Sequence, residues 1–518
     1  MKDPFQYLYL KNFFQHSHHL KTWYRLLLLV GISLLILLLG INLWVALASR
    51  GQPQQHSATS GGVSQPSNVS QSPPSAPSSV SPFLFGSNLD LSSNQTSMLT
   101  SSTLPALLQQ THVQILRIPA YSGSSQAMVK KIAQMIKSLG ITPLIVLHGS
   151  LDPDALTIDT DLVQTMNTIF SQAQETVYYE FGDEDDSLGV SAARYVFAWN
   201  KIIPRLKALA PQALFLGPAN YQYNKDFLTT FLQQARPRPD AISWHEYSCA
   251  SSWSKALCLS HLSGWTQHIA GARVIMQAIL KSELPIMITE WNYAANATAN
   301  DGKSNDSSFL ASWTTRAIQT LAASHVFAAM QYTITNSAAP LIENDRLTTQ
   351  GMVFQQQYNQ LVTKISFEDG GTGGFGKSNT MTNIQNSTDV ALDGQHSLKI
   401  TVSNSTNKDY PTLWFAGALS ATDPGIGQTI VAYVYVPRDS VPPVANVYVL
   451  DSNHRQCAAC HYPGWSVWAT LTPGMWTRVS YTVAPGVSMP SSGFGISFTT
   501  TSPEAVNTTF YVDTFGWG

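Results

Sequence analysis

The chain has 518 residues, of which 29 are Lys or Arg and 31 are Asp or Glu, for a formal charge of -2. That length exceeds one ordinary domain, so two folded units plus extras are expected, and the balance lacks the basic excess of nucleic-acid binders. Charged residues make up 12% of the chain, about half the usual share, and uncharged polar residues replace them, as is common outside the cell.

Residues 1–25 carry Lys2, Lys11, Lys21 and Arg25, and then Leu26 to Ala48 reads LLLLVGISLLILLLGINLWVALA without a charge. A run of roughly 20 apolar residues spans a bilayer as a helix. After Arg50 no Lys or Arg occurs until Arg117. The positive-inside bias therefore predicts a cytoplasmic N-terminus, a single-pass transmembrane helix over 26–48 and everything later outside. A cleaved signal peptide ending at Ala46-Leu47-Ala48 is the alternative, giving a secreted protein, but its apolar region usually runs about 7–15 residues. Residues 49–82 form a Ser/Pro-rich stretch with no charge beyond Arg50 and almost no large apolar side chain. Such a stretch cannot offset chain entropy by burial, so a disordered stalk is expected.

From Phe83 the texture alternates. Strand-like runs FLFGSNLD, VQILRIPA, TPLIVLHG, VYYEFGDE, ALFLGPAN, AISWHEYS, PIMITEWN and VFAAMQYT are separated by helical patterns such as SSQAMVKKIAQMIKSLG. Short apolar runs rich in β-branched and aromatic residues suit strands buried on both faces. Eight βα units in roughly 280 residues predict a (β/α)8 TIM barrel over 83–364. A doubly wound sheet would carry a Gly-rich turn after its first strand, whereas here the turn reads NLDLSSNQT. Over 365–518 helical periodicity gives way to alternating runs such as HSLKITVS, TIVAYVYV and WTRVSYTV, which predict an all-β sandwich.

Active sites of such barrels lie at the C-terminal ends of the strands. That rule selects Arg117 on strand two, His148 on three, Asp183 and Glu184 on four, and Asn220 on five. It selects His245 and Tyr247 on six, Glu290 and Asn292 on seven, and Gln331 and Tyr332 on eight. Glu184 and Glu290 thus project from opposite sides toward one pocket. Two carboxyl groups flanking one bond is what glycoside hydrolysis requires.

The same residues carry a resemblance. Glu180-Phe181-Gly182-Asp183-Glu184-Asp185 resembles the fourth-strand E-x-G-N-E-P motif of retaining clan A glycoside hydrolases. Ile288-Thr289-Glu290-Trp291-Asn292 looks like the seventh-strand nucleophile motif of the β-xylosidase/α-L-iduronidase family, and His245-Glu246-Tyr247 is similar to its sixth-strand H-x-Y motif. The resemblance implies Glu184 as acid/base and Glu290 as nucleophile. It also implies Arg117 and Tyr247 as the groups that hold Glu290 ionised, and His245 lining the subsite. Asp183 and Asp185 stand where that motif has Asn and Pro. An ionised Asp183 can accept from a sugar hydroxyl but cannot donate, and its charge would raise the pKa of Glu184. A non-catalytic carbohydrate-binding protein on an inactive barrel is the second reading.

The C-terminal part resembles jelly-roll carbohydrate-binding modules in FEDGGTGGFG, ALDGQHSLKITV and FYVDTFGW. Its stacking candidates are Trp414, Trp465, Trp468 and Trp476, each weighed against core packing. The resemblance implies a structural calcium held by Glu368 and Asp513, whose hard oxygens suit that ion; no cofactor is expected for catalysis. Cys249 and Cys258 flank a short loop, and an oxidising compartment would join them in a disulfide. Cys457-Ala-Ala-Cys460-His461 spells the haem attachment pattern, but in a sandwich loop a tight Cys457–Cys460 disulfide is the expectation. The predicted partners are a polysaccharide or glycan substrate and the membrane through the N-terminal helix, with no nucleic acid and a monomeric chain.

Overall fold

The computed structural model describes residues 80–89, 101–119, 126–170, 175–298, 301–377, 381–415, 424–453, 456–457, 468–484, 487–489 and 491–518. The proposed membrane helix, nearly all of the stalk, Trp465 and the Cys457–Cys460 pairing lie outside the described side chains. Among the described residues no helix is long and apolar enough to cross a membrane.

Eight parallel strands close into a barrel in chain order: β1 (Gly86–Asn88), β2 (Ile115–Pro119), β3 (Thr142–Leu147), β4 (Tyr178–Phe181), β5 (Leu214–Asn220), β6 (Ala241–Tyr247), β7 (Ile286–Asn292) and β8 (Ala328–Gln331). The ring closes through Gly86, paired with Ile115 on one side and Met330 on the other. Around it run α1 (Leu104–Gln110), α2 (Gln126–Ser138), α3 (Ala155–Ile169), α4 (Ala192–Leu209), α5 (Lys225–Gln234), α6 (Lys255–Ser260), α7 (Leu262–Leu280), α8 (Ser307–Ala323) and α9 (Thr349–Leu361). The expectation of strand structure from Phe83 is corrected in one detail. Pro82–Leu84 is a 3-10 turn, favoured by the fixed φ of Pro82 at its start. This turn drops Phe83 into the interior cluster with Ile115, Leu144, Tyr178, Leu216 and Met287, where it plugs the N-terminal end of the barrel.

Local chemistry starts the helices where the strands hand over to them. The Ser191, Asn224 and Asp306 side chains accept the backbone N–H of Arg194, Phe227 and Phe309, capping α4, α5 and α8. Side chains alternate along each strand. In β6, Ala241 faces the barrel interior while Ile242 and Trp244 face the helices. Behind β7, Trp291 meets Trp265 and Trp313 at ring separations of 6.4 and 6.0 Å, so this tryptophan of the ITEWN segment belongs to the helix-facing core.

After β8 come a small hairpin, β9 (Ile342–Glu343) and β10 (Arg346–Leu347), then α9 and β11 (Thr363–Ile365). The β domain follows with β12 (Phe375–Lys377), β13 (Met381–Ser387), β14 (Ser397–Ser405), β15 (Thr412–Phe415), β16 (Thr429–Tyr435) and β17 (Pro443–Leu450). It ends with β18 (Gln456–Cys457), β19 (Ala469–Thr470), β20 (Trp476–Thr482), β21 (Gly493–Thr500) and β22 (Val506–Trp517). One sheet runs β13-β14-β22-β16-β20 with β11 added beside β22; the other runs β12-β15-β21-β17-β18 with β19 beside β17. Leu398, Val434, Val447 and Phe494 from the two sheets share one core, as a sandwich requires.

The β domain docks on the N-terminal end of the barrel. Buried Arg478 donates through Nε to Gln114 Oε1 at 2.6 Å and through Nη1 to the Gly140 carbonyl at 2.8 Å. Gln114 in turn donates to Tyr433 Oη at 2.6 Å. The Val80 backbone lies so close to Gly518 that a Cβ on that glycine would collide with it.

Candidate active site

At the opposite end of the barrel, Arg117 rises from the interior face of β2 and organises the site. Its Nε donates to Glu180 at 2.6 Å, Nη1 to Glu290 at 2.7 Å and Asn88 at 3.1 Å, and Nη2 to Asp183 at 2.5 Å. The side chain is only 2% exposed, so the cation is neutralised by carboxylates rather than by water. Asn88 is itself fixed by donating to the Thr289 carbonyl at 2.9 Å.

Glu290 reaches this point through an irregularity in β7. Trp244 pairs with Ile288 and His245 with Glu290, so β7 has one residue more than β6 across this step. Simple alternation from Met287 would aim Glu290 at the helices; the extra residue turns it inward, as a β-bulge does. Its second oxygen accepts from Tyr247 Oη at 2.7 Å. Burial pushes the Glu290 carboxyl up, opposed by the charges of His245 and Arg117 and by the Tyr247 hydrogen bond. Burial and the Glu290 charge push the Tyr247 phenol well above its ordinary value, so it remains a donor.

His245, fully buried on β6, joins the two carboxylates. Its Nδ1 lies 2.8 Å from Glu184 Oε1 and 3.5 Å from Glu290 Oε2, and its Nε2 lies 3.7 Å from Asp183 Oδ1. Burial pulls this imidazole down, but the Glu290 charge and the Glu184 hydrogen bond outweigh it and lift the value to about 9. Glu184 adopts a positive φ of 52° and its N–H donates to the Ala219 carbonyl at 2.8 Å. The loop beneath is held by Asp185, which accepts from the Ser150 N–H at 3.0 Å and from its hydroxyl. The aspartate in the slot of the motif's proline thus ties the loop after β4 to the loop after β3.

The remaining sequence candidates divide. His148 hydrogen-bonds through Nδ1 to Asp159 at 2.8 Å, and this bond raises its pKa. The Asn292 amide is spent on protein: Nδ2 donates to the Tyr332 carbonyl, and Oδ1 accepts from the Tyr293 N–H at 2.8 Å and from Gln350 at 3.2 Å. Tyr332 donates its N–H to the Trp291 carbonyl at 2.9 Å. Asn220 pairs in register with Trp244, which faces the helices, and its buried amide meets no hydrogen-bond partner among the described residues. Asn88 and Glu180 complete the site although the strand-end rule selected neither. Asn88 is the last residue of β1 and Glu180 the last but one of β4; Glu180 stands in the fourth-strand motif, where sequence reading assigned it no separate role.

Among the described residues, Asp183, His245 and Glu290 are the one group of His, Cys, Asp or Glu side chains close enough to share an ion. Arg117 already supplies the positive charge there. Glu368 accepts the N–H groups of Gln395 and His396, and Asp513 those of Leu392 and Asp393. Both carboxylates therefore hold the 392–396 loop. Cys249 and Cys258 are joined by a disulfide across the loop after β6. Trp476 is 7% exposed and packs against Tyr435, whereas Trp414 is 44% exposed on β15.

No family model and no curated protein matches the chain. Solved structures similar to it include glycoside hydrolases. A glucosidase from Croceicoccus marinus is 14% identical, covering 85% of this chain and 97% of that one at a TM-score of 0.42. A GH128 endo-β-1,3-glucanase from Amycolatopsis mediterranei is 15% identical, covering 52% and 98% at 0.35. A CBM22 xylan-binding domain from Paenibacillus barcinonensis is 19% identical, covering 30% and 90% at 0.23. Likenesses this distant bear on no residue's role, so the chemistry rests on the geometry above.

Proposed function

We propose that the protein is a retaining glycoside hydrolase acting on a glycan outside the cytoplasm, with Glu290 as nucleophile and Glu184 as acid/base. One observation carries the reading: a single His245 nitrogen lies 2.8 Å from one glutamate and 3.5 Å from the other. Those two oxygens can be no farther apart than the two distances laid end to end, which favours the closer, retaining spacing of the carboxyl groups over the wider gap that admits a water.

The roles follow from what each carboxylate touches. Glu290 receives hydrogen bonds from Arg117 and Tyr247, which favour its ionised form against the burial that opposes it. It attacks the anomeric carbon and displaces the leaving oxygen, forming a covalent glycosyl-enzyme. Glu184 is the more exposed of the two, at 27% against 9% for the side chains, and faces the mouth where a leaving group departs. It protonates that oxygen, then takes a proton from the water that attacks the glycosyl-enzyme and releases Glu290. His245, hydrogen-bonded to Glu184 through Nδ1, fixes the direction in which that carboxyl group faces the leaving oxygen. The Cys249–Cys258 disulfide supports an oxidising compartment, in keeping with export past the 26–48 segment.

Replacement of each glutamate tests the assignment. Glu290→Ala is expected to abolish turnover of every substrate. Glu184→Ala should keep activity on dinitrophenyl glycosides, whose leaving group needs no proton, and lose about 100-fold or more on natural linkages. Near-normal activity in Glu290→Ala would overturn the mechanism and favour a carbohydrate-binding role.

A further inference from the structure

The positive charges around the site face its carboxylates. Each of the three Arg117 nitrogens donates to a carboxylate. His245 points one nitrogen at Glu184 and the other toward Asp183. The loops that connect strands to helices at this end hold Asp152, Asp154 and the run Asp183 to Asp186, against only two bases, Lys303 and Arg346. Lys303 is buried and donates to the carbonyls of Ser251 and Trp253 at 2.6 and 3.0 Å. Arg346 lies exposed on the β9–β10 hairpin and makes no ion pair with the site carboxylates among the described residues. The segments 90–100, 120–125 and 299–300, whose structure is not described, contain no Lys or Arg in the sequence.

We infer that the site accepts a sugar without an acidic group, and that Asp183 is the side chain that enforces this choice. The inference rests on the glycosidase reading and adds the substrate class to it. Four carboxyl groups, those of Glu180, Asp183, Glu184 and Glu290, lie against Arg117 and His245. A sugar hydroxyl can donate to Asp183, which is 19% exposed and only accepts. A sugar carboxylate, sulfate or phosphate meets the like charge of Asp183 there, which salt screens only in part. An acidic rim alone would be an ordinary solvated surface. Asp183 differs because it sits inward of the rim, held between Arg117 Nη2 and His245.

Asp183→Asn keeps an oxygen for Arg117 and removes only the charge. The test compares kcat/KM for matched aryl glycosides that differ solely in CH2OH or carboxylate at C5, such as a glucoside with its glucuronide and a galactoside with its galacturonide. The neutral member is expected to win by about 100-fold, the scale of one like-charge contact in a partly buried site. The ratio should shrink as salt is raised, and by about 10-fold in Asp183→Asn. Equal or preferential turnover of the uronides overturns the inference, as does a ratio that neither salt nor Asp183→Asn moves. The salt series uses the wild-type protein and so does not depend on the variant folding. Failure to cleave any member of either class would count against the glycosidase reading itself. In that case, titration with the corresponding non-hydrolysable thioglycosides reads the same preference, and equal affinity for both members overturns it.

Discussion

His245 carries a proton that the fold itself recruits. Its folded value of about 9 lies above the ordinary 6.5, so the proton stabilises the folded state fully below about pH 6.5 and ceases to as pH rises through 9. The shift corresponds to stability on the order of 3 kcal/mol at most. Urea midpoints should therefore fall between pH 7 and 9, and His245→Asn should flatten that slope; an unchanged slope would remove His245 as its source. In the proposed mechanism Glu290 shows the opposite demand, since it must lose its proton to attack. Tyr247→Phe deletes a hydrogen bond that favours the ionised form. The acidic limb of the kcat/KM profile should then move to higher pH, with a loss on the order of 10- to 100-fold at low pH. A limb that stays in place would separate Tyr247 from the nucleophile's ionisation.

At the scale of elements, the strands were legible because each is a short apolar run buried on both faces, and counting them was enough to predict a closed barrel. The site residues at strand ends followed from that count: Arg117, Asp183, Glu184, His245, Tyr247 and Glu290 all converge. Side-chain direction was less legible. The extra residue in β7 that turns Glu290 inward and the shift that sets Asn220 level with Trp244 depend on pairing between strands, which no single segment encodes. The loops after β3 and β4 show how tightly the rim is set. Gly149 has φ +71°, and a Cβ placed there would stand 2.4 Å from the Gly182 Cα. Gly149→Ala is therefore strained both by its own backbone and by collision with the loop that carries Glu184. A loss of about 1–3 kcal/mol and a drop in kcat are expected, read by thermal melting and initial rates. Unaltered activity would mean that this contact does not position Glu184.

At the scale of the whole molecule, the second domain read from the sequence as a separable module is bolted to the first. Arg478 is buried at the junction with Gln114 and the Gly140 carbonyl, Tyr358 stacks on His112 at 4.3 Å and His112 meets the Tyr433 ring at 5.5 Å. Sequence could not show this, because each partner lies hundreds of residues from the other. Arg478→Ala leaves Gln114 and the Gly140 carbonyl unsatisfied and should cost about 2–4 kcal/mol. Calorimetry of the 80–518 portion should show one transition in the wild type, moved down in Arg478→Ala; two independent transitions in the wild type would mean that the domains do not unfold together.

The meeting of Val80 with Gly518 gives the molecule a front and a back. Gly518 is also pinned by backbone bonds to Thr429 in both directions, so Val80 and Gly518 lie together at the plugged end of the barrel. A bead, a surface or a fusion partner attached through either end would leave the carboxylates facing outward, toward solvent. Immobilisation by either route should therefore preserve access for long polymeric substrates, which attachment through the rim loops would obstruct.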